Sequence, residues 1–254
     1  MLLAIDIGNT MTDFLLVEEG KESIYYCVSS RRDLTVEEAI ASTSLFFQHN
    51  HIPTTSVEGV IISSVVPALT EVYNALCRSL FHVPPMILGP RLKTGVKIVT
   101  DNPKEVGADM IAGAAGAKVK GLLPCIIVDF GTATKVYLVD KTGAFLGCSI
   151  AAGIGLQSRS LSSSAALLPE VSPSIPAKIL GKNTTDSMNS ALTYGNVFMA
   201  KALADGVEKE AGYPCKRILT GGFSKYVAPL MNDYDYEPRL LLEGLLDIYR
   251  RNRQ

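Results

Sequence analysis

Residues 2–20, LLAIDIGNTMTDFLLVEEG, place an acid, Asp6, at the end of one apolar run and ahead of a second. The runs at 2–5 and 14–17 read as buried strands, joined by a tight polar turn of Gly8, Asn9 and Thr10. A carboxylate ending a buried strand is costly unless something pairs with it. Gly8 lets backbone come close to a ligand, and Asn9 and Thr10 offer amide donors and a hydroxyl. Such a turn can cradle phosphate while the acid holds a hydrated cation.

The pattern returns at 127–143, IVDFGTATKVYLVDKTG. A shift of 123 positions (129 − 6) carries Asp6 onto Asp129, Gly8 onto Gly131, Phe14 onto Tyr137, Leu15 onto Leu138 and Gly20 onto Gly143. Two strand–acid–glycine–hydroxyl–strand hairpins at one offset predict a duplicated domain. The division expected is 1–118 and 119–254, with Asp6 and Asp129 each ending the first strand of its domain and facing one cleft.

A chain of 254 residues is long enough for two such domains. Its 47% hydrophobic content is that of a globular protein. A net charge of −1 gives no electrostatic footprint for nucleic acid or a membrane surface. No apolar run approaches the ~20 residues of a membrane helix. The N-terminal run has no basic segment ahead of it and is broken by Asp6, so it reads as a strand, not a signal peptide. Cys27, Cys77, Cys125, Cys148 and Cys215 are scattered and read as small core residues in a reducing cytoplasm. With three scattered histidines, the chain has no zinc-ligand spacing.

Taken in order, 23–30 is a third strand, 35–49 an amphipathic helix and 57–66 a continuous apolar strand. Pro67 opens a helix through 81, and 84–88 is a short strand. The order β-β-β-α-β-α-β is the ribonuclease H-like plan. Asn102, Pro103 and Glu105 predict a capped helix over 102–120, with Asp109 in its second turn. Gly107, Ala108, Ala112, Gly113, Ala114 and Ala115 make that helix thin, so it should lie close against a backbone or a ligand. Asp109 is either a surface acid or a functional one on this reading. In the second half, 144–150 is a third strand, 151–155 a glycine-bearing turn and 156–167 a serine-rich helix. A polar loop at 181–184 leads into a long helix over 184–210. The strand at 217–222 ends in a Gly pair on which a flat ring can rest. An amphipathic helix over 238–249 closes the chain.

At these motifs the sequence resembles the type III pantothenate kinases, within the superfamily of acetate and sugar kinases, heat-shock ATPases and actin. DIGNT at 6–10 and DFGTAT at 129–134 match the family's two phosphate motifs. NPKEVGAD at 102–109 matches the segment with its catalytic aspartate, and GKNT at 181–184 its substrate loop. TGG at 220–222 matches its adenosine motif, and PRLLLEGLLDIYRRN at 238–252 its C-terminal signature. Each motif is weak alone; their order and spacing across the chain are specific.

The resemblance implies an α/β fold of two duplicated ribonuclease H-like (actin-like ATPase) domains, each a mixed sheet flanked by helices, with the nucleotide cleft between them. It implies phosphoryl transfer from ATP, with Mg2+, to the primary hydroxyl of pantothenate, in a cytoplasmic homodimer. Asp109 would be the general base. Asp6, Ile7, Gly8, Asn9, Thr10, Met11, Thr12 and Asp13 would form the stretch along the ATP phosphates, and Thr132 would donate to them. Gly107, Ala108, Met110 and Thr184 would join Asp109 at the substrate, and Asp129 would hold a monovalent cation, K+ or NH4+.

Three positions depart from the family pattern. Its Gly-x-Asp-Arg ends here in Met110, its DFGTATT in Lys135, and the Pro-Gly of the third hairpin turn is Ala152-Gly153. A thioether cannot do for a carboxylate or phosphate what a guanidinium does. A kinase of this fold acting on another small hydroxyl compound, and a nucleotide-binding regulator without catalysis, stay open beside the pantothenate reading. Lys135, six positions after Asp129 (135 − 129), has two placements open: toward that carboxylate or the phosphates, supplying the charge of the cation, or into solvent.

Overall fold

The computed structural model describes residues 1–253. The opening motif folds as read. β1 (Leu2–Ile7) and β2 (Met11–Val17) form an antiparallel hairpin, and β3 (Ile24–Ser29) pairs with β2. α1 (Val36–His49) begins in a full capping box: Thr35 accepts from the Glu38 backbone N–H, and Glu38 accepts from that of Thr35. β4 (Gly59–Ser64) then joins β1 in parallel, α2 (Pro67–Leu76) follows, and β5 (Met86–Ile87) extends the sheet. The order is β3-β2-β1-β4-β5, the ribonuclease H-like arrangement. The α2 helix does not run regularly to 81; a wide five-residue turn, Cys77–Phe81, ends it.

Two short pieces between β5 and the next helix were invisible in the sequence. One is β6 (Lys97–Ile98), which pairs with β9 of the second sheet. The other is a 3-10 turn, Pro103–Glu105. The sequence predicted one helix over 102–120, but α3 spans Ala108–Val119 and its N-cap is Gly107. Asn102 makes no backbone cap; its side-chain amide donates to Glu105 Oε1 at 2.7 Å. Val106 and Gly107 then run extended, so Asp109 lies in the first helical turn, not the second.

The second copy repeats the first. β7 (Cys125–Phe130), β8 (Ala133–Val139) and β9 (Ala144–Ala152) form an antiparallel meander. α4 is Ile154–Ser164. The expected long helix is α5 (Thr184–Ser190), a wide turn at Ala191–Gly195, and α6 (Asn196–Ala211). β10 (Lys216–Thr220) lies parallel to β7, then come α7 (Ser224–Val227) and β11 (Asp235–Tyr236). The order is β11-β10-β7-β8-β9-β6. Gly20 and Gly143, aligned by the repeat, are both left-handed, at φ 76° and 84°, which is why both are glycine.

The chain closes with α8 (Leu240–Asn252). Its contacts lie with the first sheet, so the compact units are not cut at one point. One comprises 1–96, 102–120 and 240–254; the other 97–101 and 121–239. The division drawn at 118/119 assigned the last helix to the second half. In the first unit, Leu3, Ile5, Ile7 and Phe14 pack with Phe47, Leu69 and Tyr73 of α1 and α2 on one face of the sheet. Ala4, Leu15 and Ile61 pack with Leu242, Leu245 and Ile248 of α8 on the other. The thinness of α3 has its cause here. A Cβ at Gly116 would strike the Leu240 carbonyl, and one at Gly244 the Ala112 carbonyl, so two helices touch backbone to backbone. The close neighbour is another helix, not a ligand.

The cysteines divide. Cys77 and Cys125 are core residues whose thiols burial pushes up to about 12, while Cys27 and Cys148 are exposed and Cys215 is half-buried. The expectation of five core cysteines fails because β3 and β9 alternate, and Cys27 and Cys148 fall on their outward phase. No helix among the described residues is long and apolar enough to cross a membrane.

Candidate active site

In the first hairpin, Gly8 N–H donates to the Met11 carbonyl at 3.0 Å and closes the turn. Asn9 is exposed at its tip, and the Thr10 carbonyl accepts from Ser30 N–H at 2.9 Å. The residues named for phosphate divide by facing. Ile7 is wholly buried in the core, which leaves only its backbone for a ligand. Thr12 is also fully buried, with its hydroxyl 2.9 Å from that of Ser30, so it braces the hairpin against the third strand. Asp6 and Asp13 are cross-strand partners. Direct partners share one face of a sheet, so two carboxylates stand on one rung. Burial raises the Asp13 pKa, and the Tyr25 hydroxyl, donating to Asp13 Oδ1 at 2.5 Å, offsets part of that rise. Burial and the adjacent carboxylate push the Tyr25 hydroxyl upward.

The second hairpin has the same frame and a shorter turn. Gly131 N–H donates to the Ala133 carbonyl at 3.2 Å. Thr132 is half-buried at the tip, and its carbonyl accepts from Gly153 N–H at 3.1 Å. A Cβ at Gly153 would strike the Gly131 and Thr132 carbonyls, so this departure from Pro-Gly keeps its essential glycine. The shorter turn changes the partner of the acid. Asp129 stands opposite Lys135, and Lys135 Nζ lies 2.6 Å from Asp129 Oδ2, with side chains only 12% and 13% exposed. The outward placement of Lys135 is therefore excluded. Gly221, left-handed at φ 96°, passes the other carboxylate oxygen so closely that a Cβ there would collide with Asp129 Oδ1 and the Phe130 backbone. That Gly is required by the acid beneath it; Gly222, with nothing within 4 Å of its own Cβ position, faces open space.

At the head of α3, Asp109 Oδ1 accepts from Met110 N–H at 2.9 Å. A Cβ at Gly107 would run into that same oxygen, so Gly107 clears room for the carboxylate. Ala108 packs against the α3–α8 core, and Met110 is buried, 6% exposed. In the second unit, Thr184 opens α5, where the Asn183 side chain accepts from Asp186 N–H at 2.8 Å. Gly181, Lys182, Asn183 and Thr184 line an open groove of about 540 Å3, walled by Leu161 and Met188.

Comparison with known proteins gives the family. The model of the type III pantothenate kinase family matches residues 2–206. The chain belongs to the type III pantothenate kinase family. The Listeria monocytogenes type III pantothenate kinase is 34% identical over 254 residues, covering 100% of this chain and 98% of that protein. That of Halalkalibacterium halodurans is 36% identical over 253 residues, 99% and 100% of the two chains. Among solved structures, a Campylobacter jejuni protein assigned to the Baf family of transcriptional activators superposes with a TM-score of 0.62 at 18% identity, covering 99% and 98%. The activator of 2-hydroxyisocaproyl-CoA dehydratase from Clostridium difficile, with bound ADPNP, gives 0.53 at 10% identity, covering 99% and 96%. These two likenesses show the fold.

Two contacts went unnoticed in the sequence, Tyr25 on Asp13 and Ser30 on Thr12; Gly221 was noticed as half of a Gly pair, but not for its place over Asp129. Tyr25 and Ser30 could have been found by writing the third strand in register beside the second.

Proposed function

We propose that this chain transfers the γ-phosphoryl group of ATP to the primary hydroxyl of pantothenate, the first step of coenzyme A biosynthesis. The observation that carries the reading is the family match along the chain, with an acid retained at the head of α3. Asp109 takes the role of general base and accepts the hydroxyl proton as the oxygen attacks phosphorus. Met110 N–H and Gly107 hold its carboxylate in one orientation. Asn9 and Thr10 would offer the phosphates backbone N–H groups and side chains, and the family motif assigns the Thr132 hydroxyl to them too; transfer of this kind needs mainly positioning and neutralisation of charge. The Asp6–Asp13 rung suits Mg2+, a hard cation held by carboxylates and phosphate oxygens, which would neutralise charge on the transferring group. The groove at Thr184 takes pantothenate, with apolar walls for its dimethyl carbon and Lys182 near for its carboxylate.

We further propose a cytoplasmic homodimer. Leu156 and Leu161 of α4, with Leu167, Ile179, Leu180 and Phe198, leave large apolar surface exposed on the second unit, which a second copy would cover.

The test is ADP release from ATP with and without pantothenate. Pantothenate-dependent release, lost about 10²–10⁴-fold in Asp109→Asn with nucleotide affinity retained, is the expected result. Equal turnover in the Asn variant removes Asp109 from the chemistry. A second reading, a kinase for a less anionic hydroxyl compound, draws on the buried thioether at 110. If Met110→Arg lowers the KM for pantothenate by one to two decades at constant kcat, a lost carboxylate grip is the right account. No gain in that variant favours the other substrate.

A further inference from the structure

The family reading places a monovalent cation at Asp129, and the residues around that acid do not fit one. One carboxylate oxygen already carries the Lys135 ammonium at 2.6 Å. The other faces the backbone of Gly221 and lies under its left-handed bend. Asp129 sits on a strand whose residues are all buried, and Val136, next to Lys135, is buried too. In so dry a place two like charges on one carboxylate repel strongly, because little water screens them. Among the described residues no group of three His, Cys, Asp or Glu side chains gathers there or elsewhere to hold a metal ion.

We propose that Lys135 is the built-in cation of this chain: its ammonium occupies the Asp129 carboxylate, so nucleotide binding and phosphoryl transfer need no potassium or ammonium from solution. The charge added is the same single positive one. It differs in being tethered, so no free ion is immobilised when the site fills and only one Lys side chain is ordered. The three-residue turn 131–133 sets position 135 opposite Asp129, and in this chain that position is Lys. The side chain also restricts which cations can compete. An ammonium on four methylenes reaches Asp129 along the sheet face, its side chain only 12% exposed.

This inference rests on the kinase reading for its catalytic arm, and the experiment separates the two. The full-length native protein and Lys135→Thr are assayed at constant ionic strength in potassium, ammonium, sodium and choline chloride. Nucleotide affinity is read by calorimetry and pantothenate phosphorylation by ADP release. The native protein is expected to vary less than twofold across the four salts in both readouts. Lys135→Thr is expected to lose tenfold or more in choline and to regain it in potassium or ammonium. A native protein activated tenfold by potassium over choline overturns the proposal, as does a Lys135→Thr variant equally good in every salt. Should Lys135→Thr not fold, the native series still decides between independence and activation. Absence of pantothenate turnover in all salts, with nucleotide bound equally in potassium and choline, removes the substrate reading and leaves Lys135 as the cation.

Discussion

The two hairpins share a strand order, a closing hydrogen bond and a positive-φ glycine, yet they treat their acid in opposite ways. In the first, Asp6 faces Asp13 across the sheet; in the second, Asp129 faces Lys135. The cause is one residue of loop. The first turn leaves four residues, 8–11, between paired positions 7 and 12, and the second leaves three, 131–133, between 130 and 134. The first rung sets two carboxylates side by side. The second is neutral on its own. Duplication has thus preserved a backbone and divided the electrostatic work.

The same comparison runs one step up the strand. Thr12 and Thr134 occupy equivalent sites, each the first paired residue past its turn. Thr12 has Ser30 as its hydroxyl partner, but the residue equivalent to Ser30 is Gly153. The buried Thr134 hydroxyl is left with no hydrogen-bond partner.

The largest expected effect comes from making the second rung resemble the first. Lys135→Asp should lower stability by about 3–5 kcal/mol, since a nearly buried carboxylate would lose its counter-charge and gain a like one. Urea denaturation at neutral pH checks this; a loss below about 1 kcal/mol would mean water reaches the rung easily. The next effect separates the threonines. Thr12→Val should destabilise by about 1 kcal/mol through the lost bond to Ser30. Thr134→Val should be neutral or stabilising by up to about 1 kcal/mol, because it removes an orphaned hydroxyl. Equal losses in both would erase the asymmetry.

The smallest effect is a pH dependence. Burial raises the Asp13 pKa above its ordinary 3.8. An acid with a raised folded pKa keeps its proton longer in the folded state, so its contribution to stability falls as pH climbs through the window above 3.8. Asp13→Asn, which keeps an acceptor for Tyr25, should therefore be more stable than the native protein at pH 7, with the difference closing below pH 3.8. Thermal midpoints across pH 3–8 would show it; a constant difference would assign the gain to something other than Asp13.

How far the sequence reaches can be judged from these residues. The duplication was legible because an acid before a glycine, between apolar runs, is rare and was repeated. The pairing inside the second hairpin was not, because apolar runs slide past one another without penalty: an offset of 123 sets Phe14 on Tyr137, while the register sets Leu15 there. The start of α3 was misplaced because Asn102 and Glu105 bond side chain to side chain, a pattern that imitates a cap. Two-residue strands such as β6 and β11 carry no periodicity to find. The role proposed for Asp109 came from the family motif; its seat beside Gly107 came only from the structure.

The α3–α8 contact also bears on how the protein is made. The first sheet is synthesised early, but the helix covering one of its faces is encoded at 240–252. At ~5–20 residues per second, the roughly 120 residues between α3 and α8 take about 6–24 s to emerge. During that interval Ala4, Leu15 and Ile61 lack their cover, while 121–239 can close around its own core. The codons for 240–252 therefore complete the first-born half. A stop codon near 240 would leave an exposed apolar sheet for a chaperone or protease to find, not a slightly shortened kinase.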